Sequence, residues 1–245
     1  MIGKSVVLSE EIDLKRVRGL LFDVDGTLSD TDDHVVDRIT RLLKPMAWLY
    51  RNNDPRRFAR WMVMSAETPA NFMYSMADRL GLDATLAKIY DSLSRKRHQR
   101  TPLHERFWIV PGVKAMLERF YGHFPMAVVS ARDQRTTLHF LDHFDLMPYF
   151  EVIVTAQTCQ RTKPFPDPVV FAAEQLQLEP EHCLMVGDTI VDVKAGKSAG
   201  AQTVAVLCGF GTQHELIKAG ADLIIASTAD LKLIFDLDHP LNMES

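Results

Sequence analysis

The stretch Gly19-Leu20-Leu21-Phe22-Asp23-Val24-Asp25-Gly26-Thr27-Leu28 decides how this chain is read. A short apolar run with charged residues before it has the character of a strand covered on both faces. The run delivers Asp23 to its C-terminal end, and ligands of open α/β sheets gather outside the carboxyl ends of their strands. Asp25 follows two residues later, and Gly26 lets the chain turn sharply there. Two carboxylates therefore converge on one sheet edge. Taken alone, Asp25-Gly26 is also a common turn, so the reading depends on what the rest of the chain brings to the same edge.

A second segment, Leu184-Met185-Val186-Gly187-Asp188-Thr189-Ile190-Val191-Asp192, repeats the plan: an apolar strand, a glycine, an aspartate at the strand end and another four residues on. Asp188-Thr189 alone would read as a helix cap. If the two strands are neighbours, up to four carboxylates crowd one spot and raise one another's pKa values unless a cation is present. An all-oxygen ligand set with few protein contacts favours magnesium, which keeps several waters and accepts phosphate oxygens. Ser130 closes the run Ala127-Val128-Val129 and offers a hydroxyl at the same edge. Lys163 precedes Pro164-Phe165-Pro166, a stiff stretch suited to aiming its ammonium at an anion.

Outward from these segments, short apolar runs alternate with helical patterns. The strand candidates are Gly19 to Phe22, Met126 to Val129, Val152 to Thr155, Cys183 to Val186, Thr203 to Cys208 and Leu223 to Ala226. Pro111 and Asp133 open helices between them, and Thr212-Gln213-His214-Glu215 has the spacing of a capping box. Alternation of this kind predicts an α/β fold, a Rossmann-like doubly wound parallel sheet with helices on both faces. Residues 30–104 differ in texture. Asp54-Pro55 and Thr68-Pro69 each set a capping residue before a proline, Leu80-Gly81 ends a helix, Asp83 begins another, and Thr101-Pro102 closes the region. The expected organisation is a catalytic core of residues 1–29 and 105–245, with an inserted helical-bundle cap of about four helices over 30–104.

The ordered set Asp23-x-Asp25-Gly26-Thr27, Ser130, Lys163 and Gly187-Asp188-x-x-x-Asp192 resembles the haloacid dehalogenase superfamily of phosphohydrolases. The likeness is to its phosphoglycolate phosphatase and β-phosphoglucomutase branch, whose helical cap follows the first motif, and it spans nearly the whole chain. The resemblance implies that Asp23 is a nucleophile forming an aspartyl-phosphate, and that Asp25 protonates the leaving oxygen and then deprotonates water. It implies Mg2+ held by the side chains of Asp23 and Asp188 and the backbone carbonyl of Asp25. Asp192 would hold a metal-bound water or the Lys163 ammonium, while Ser130 and Lys163 grip the phosphoryl group. Gly26, Thr27, Ala131 and Arg132 would line the substrate side, with backbone amides near Gly26 and Ala131 as donors. Many relatives place Asn after the serine of the second motif, whereas Ser130 is followed by Ala131 and Arg132, which brings Arg132 to the pocket mouth. The activity implied is a magnesium-dependent phosphatase for a small phosphorylated metabolite. A sugar phosphomutase or a non-enzymatic phospho-binding protein is the alternative. Thr27 after Gly26 favours the phosphatase over the mutase. A receiver-type phospho-switch carries its acidic pair ahead of the acceptor aspartate, the reverse of the order here.

Length and composition agree with such an enzyme. The 245 residues suit one large domain, or a core with an insertion, at about 150 residues per domain. With 47% hydrophobic and 24% charged residues, the chain is neither collagen-like, coiled-coil, disordered nor a disulfide scaffold. A net charge of −4 offers no field for nucleic acid. Its apolar runs fall short of the roughly 18 residues needed to cross a bilayer. Lys4, Glu10, Glu11 and Asp13 stand where a signal peptide needs an apolar stretch, so the expected location is the cytoplasm and the expected partner a small phosphorylated molecule, with neither nucleic acid nor membrane, the chain being a monomer or homodimer. Cys159, Cys183 and Cys208 lack metal-binding spacing, and the last two are expected to be buried. Arg56, Arg57 and Arg60 would recognise a second anion, although a solvated helix face explains them more simply. The same plain reading covers Arg95-Lys96-Arg97-His98, and Asp30 and His34 are expected to serve only as cap and helix residues.

Overall fold

The computed structural model describes residues 7–8 by backbone and 12–30, 40–45, 55 and 107–235 in full. Its strands are β1 (Val7–Leu8), β2 (Gly19–Phe22), β3 (Met126–Val129), β4 (Val152–Val154), β5 (Cys183–Gly187), β6 (Gln202–Val206) and β7 (Leu223–Ile225). They form one sheet in the order β1-β7-β6-β5-β2-β3-β4. Strands β2 to β7 run parallel, and β1 pairs antiparallel with β7. The six expected strands are all present. The added edge strand, two residues long, is too short to leave a pattern.

Every residue of β2, β3, β5, β6 and β7 is buried, because helices cover the sheet and solvent reaches neither face. That is why these strands read as continuous apolar runs instead of alternating ones. The helices are α1 (Val113–Phe120), α2 (Gln134–His143), α3 (Asp167–Gln175), α4 (Ile190–Ala199) and α5 (Gln213–Ala219). Leu21, Val129, Val154 and Met185 from the sheet pack with Val169, Ala172 and Ala173 of α3. Val193, Leu216 and Ile224 join α4, α5 and β7 in a second cluster. Truncating Leu21, wholly buried, to alanine would cost about 2–5 kcal/mol.

Asp133 caps α2 by accepting the Thr136 N–H at 3.0 Å, and Thr212 and Glu215 form the expected capping box of α5. At α1 the start is later than Pro111. Gly112, at φ 84°, turns the chain in the left-handed region first, and the helix runs from Val113. Cys183 is buried as expected, but Cys208 is only half-buried and donates its thiol to the Gly26 carbonyl at 3.3 Å. It lies beyond the end of β6, in a loop, not in a strand as expected.

By its contacts the chain separates into two compact units, residues 1–30 with 108–245, and residues 31–107. The ends of the interruption are joined within the first unit: Asp30 N–H donates to Trp108 O at 2.8 Å and Val110 N–H to Leu28 O at 3.0 Å. Residues 40–43 of the insertion are α-helical; the rest of its expected helices lie outside the described residues, together with His34, Arg56, Arg57, Arg60 and Arg95 to His98. No helix among the described residues is long and apolar enough to cross a membrane.

Candidate active site

Strand order places the site. To one side of β2 the chain proceeds to β3 and β4, to the other to β5, β6 and β7, so β2 ends at the switch point where crevices open in doubly wound sheets. Register brings the two motif strands level: Phe22 pairs with Val186, and Asp23 N–H donates to Val186 O at 2.9 Å. Asp23 and Asp188 thus leave adjacent strand ends. Asp192 returns to them from the first turn of α4, where its carboxylate accepts the Thr189 N–H at 3.0 Å and the Thr189 hydroxyl at 2.5 Å.

One ammonium binds this group together. Lys163 Nζ donates to Asp23 Oδ1 and to Asp192 Oδ1, each at 2.6 Å, with side-chain exposures of 2%, 8% and 1% for the three residues. Burial by itself would lower the lysine pKa, but the Asp192 and Asp23 carboxylates outweigh it and hold Lys163 well above the ordinary lysine value. Burial raises Asp23 from 3.8 to about 7, Lys163 pulling it down and Asp192 and Asp25 pushing it up. Asp188 is raised as well, by burial first and then by Asp192 and Asp23, against the pull of the Phe210 N–H. Mutual repulsion does raise both carboxyls, as expected, but loss of water is the larger cause.

Around Asp188 the chain has cleared space that sequence reading overlooked. Asp188 Oδ2 accepts the Phe210 N–H at 2.7 Å, and Gly211 N–H donates to the Asp188 carbonyl at 3.1 Å. A Cβ on Gly26 or Gly209 would collide with the Asp188 carboxylate, and one on Gly187 would press into Asp192, 2.5 Å from its Cγ. Gly26 also carries φ 74°, a conformation that glycine adopts freely. The only trace of this cradle in the sequence is Cys208-Gly209-Phe210-Gly211, which reads as a turn after β6. The partnership of Phe210 with Asp188 joins residues 22 positions apart through backbone, so no side-chain motif marks it.

The first motif sends its second carboxylate elsewhere. Ligand oxygens of Asp23, Asp188 and Asp192 lie within 4.8 Å of one another, while Asp25 turns to the opposite flank. There the Arg132 Nε donates to Asp25 Oδ2 at 2.9 Å, and a terminal guanidinium N–H donates to Oδ1. Among the described residues the expected group of four is therefore a group of three, because a cation on the β3 side holds the fourth. Ser130 is buried at the end of β3, its hydroxyl accepting the Arg132 N–H at 3.1 Å, and Ala131 is exposed beside it. Of the backbone amides near Gly26 expected as donors to substrate, that of Gly26 itself donates to Ser29 O at 2.9 Å. Thr27 is buried under the site, its hydroxyl 3.5 Å from Asp188 Oδ1.

These residues fit a divalent cation. The donors are all carboxylate oxygens, two of the three carboxyls sit above their ordinary range, and glycines keep bulk away from Asp188. Lys163 and Thr189 already engage both oxygens of Asp192, so Asp23 and Asp188 would be the side-chain ligands. A cation between them would offset the burial and repulsion that raise both.

An acidic cluster sharing one buried lysine lies at the switch point of a doubly wound sheet, the place where folds of this kind bind ligands. Over residues 20–206 the chain matches the haloacid dehalogenase-like hydrolase family, and it belongs to that family. Pyrophosphatase PpaX of Bacillus pumilus is 27% identical over 222 residues, covering 91% of this chain and 98% of that protein. Phosphoglycolate phosphatase of Escherichia coli O157:H7 is 25% identical over 245 residues, with coverages of 94% and 96%. Among solved structures, a hydrolase from Pseudomonas syringae matches with a TM-score of 0.65 at 25% identity, over 89% of this chain and 97% of that one.

Proposed function

We propose that the protein is a magnesium-dependent phosphatase that hydrolyses a small phosphate monoester through an aspartyl-phosphate on Asp23. The observation that carries this reading is the Asp23 carboxylate at its strand end, 2.6 Å from the Lys163 ammonium and clustered with Asp188. Relatives named for a pyrophosphatase and a phosphoglycolate phosphatase support a small anionic substrate.

A carboxylate oxygen of Asp23 attacks phosphorus. The bond from phosphorus to the leaving oxygen breaks, its electron pair stays with that oxygen, and Asp25 supplies the proton that makes it an alcohol. Water then attacks the same phosphorus and gives a proton to Asp25. The bond to Asp23 breaks, inorganic phosphate leaves, and Asp23 is again a carboxylate. Lys163 stabilises the charge on the phosphoryl oxygens, held in place by Asp192, and the Ser130 hydroxyl supplies a further donor. Magnesium, bound by Asp23, Asp188 and the Asp25 carbonyl, would neutralise charge on the phosphoryl group.

The test is release of inorganic phosphate from phosphoglycolate, sugar phosphates, nucleotides and pyrophosphate, with magnesium and with chelator. Magnesium-dependent release is expected from at least one small ester or anhydride. Isomerisation of a sugar phosphate that requires its bisphosphate and releases no phosphate would replace this reading with a phosphomutase.

A further inference from the structure

We infer that Arg132 is a latch on Asp25, released when a second anionic group of the substrate draws its guanidinium away; the inference rests on the phosphatase reading above. A proton donor must turn an oxygen toward the leaving atom, within about 2.6–3.2 Å. Both oxygens of Asp25 already accept N–H bonds from Arg132, so neither faces a leaving group while the planar guanidinium fork is engaged.

The anchoring of Arg132 suits such a switch. Its backbone is fixed at both groups, the N–H donating to Ser130 Oγ at 3.1 Å and the carbonyl accepting the Ala156 N–H at 2.9 Å. Movement is therefore confined to the side chain, whose guanidinium carbon lies 5.8 Å from the centre of the Phe140 ring. The pair is also more open than its neighbour: Arg132 and Asp25 side chains are 14% and 34% exposed, against 2% and 1% for Lys163 and Asp192. A pair that keeps part of its surface in water exchanges partners more readily than one wholly buried, whose separation leaves an uncompensated charge. The Lys163 network is fixed, and the Arg132 pair is the exchangeable one.

The partner able to displace Asp25 is an anion carried by the substrate close to its scissile oxygen. The substrate class is thus a small phosphate ester or anhydride with a carboxylate or a second phosphoryl group a few bonds away. Arg132 reads that group, and its departure lets Asp25 take up from water the proton that it then passes to the leaving oxygen as the ester bond breaks. Arg132 is a positioning and specificity residue and makes no bond to the reacting atoms.

Phosphoglycolate and ethyl phosphate differ in the second anion and serve as the test pair, assayed with magnesium. The unaltered enzyme is expected to favour phosphoglycolate in kcat/KM by roughly ten- to hundredfold, the worth of one charge-assisted pair. In Arg132→Ala the preference falls toward unity, KM for phosphoglycolate rises, and kcat on ethyl phosphate increases because Asp25 is no longer held. Arg132→Lys, with charge but no fork, keeps an intermediate preference, and Arg132→Gln replaces the alanine variant if that chain does not fold. A preference that survives removal of the guanidinium, or a parallel loss on both esters, overturns the inference. Calorimetry with phosphonoacetate and ethylphosphonate separates this failure from failure of the phosphatase reading. Tighter phosphonoacetate binding that disappears in Arg132→Ala upholds the role of Arg132 even if no ester is turned over, and equal binding of the two overturns it.

Discussion

Carboxylates stand at both edges of the sheet, and the two edges treat them differently. At the start of β6 and β7, Asp222 is buried with every need met: it accepts from Lys197 Nζ at 2.7 Å and from the Thr203 N–H and hydroxyl, each at 2.8 Å. At the opposite ends of the strands, Asp23, Asp188 and Asp192 crowd within 4.8 Å, and Lys163 is shared between two of them. A satisfied carboxylate ties elements together. A crowded and dehydrated set holds electrostatic strain, visible in the raised Asp23 and Asp188, which a bound cation would relieve. Charge at one edge ties the fold together, and at the other it is left crowded.

The sharpest way to break this contrast is Asp23→Asn. The substitution keeps shape and removes one crowding charge, so the fold is expected to persist by circular dichroism. Phosphate release should fall by about 10⁴-fold or more, as when a covalent nucleophile is lost. Substantial residual turnover with a preserved burst would remove Asp23 from the nucleophile's role.

Next in size is a pH effect on the metal-free protein. The folded chain holds a proton on Asp23 between 3.8 and about 7, where the unfolded chain has lost it. Stability from this group is therefore fully present below 3.8 and declines as pH rises toward 7. Melting temperatures in chelator, compared between the unaltered protein and Asp23→Asn, should diverge over that interval, and magnesium near pH 7.5 should raise the melting temperature of the unaltered protein more than that of the variant. Parallel curves would mean that the cluster is not strained.

The smallest effect belongs to the other edge. Asp222→Ala leaves the buried Thr203 N–H without its acceptor and should destabilise by about 1–3 kcal/mol in chemical denaturation. Turnover per folded molecule should stay as it was. A selective loss of activity would erase the distinction between the edges.

Much of this was legible in the chain because it is local. Apolar runs marked the six parallel strands, and the motif aspartates were visible at the strand ends that carry them. Asp133 and the Thr212 to Glu215 box declared their helices within four residues. The misses share a cause. The pairing of Asp25 with Arg132 spans 107 positions and depends on how the loops after β2 and β3 face each other. The Phe210 amide on Asp188 is a backbone group that any residue except proline would supply, so no residue type signals it. Cys208, expected in a strand, lies in a loop because β6 ends at Val206.

What the amino-acid sequence determined by itself is the alternation of strand and helix, the placement of carboxylates at strand ends, and the family. These follow from residue character at short spacing, where periodicity and capping act. Only the tertiary structure decided which carboxylates meet, which cation each receives and how much water remains around them. Those depend on strand order and burial, and the energy of a charge is set by its surroundings more than by its identity. Asp23 and Asp25 are two residues apart after one strand end, yet one is held by a buried lysine and the other by a less buried arginine.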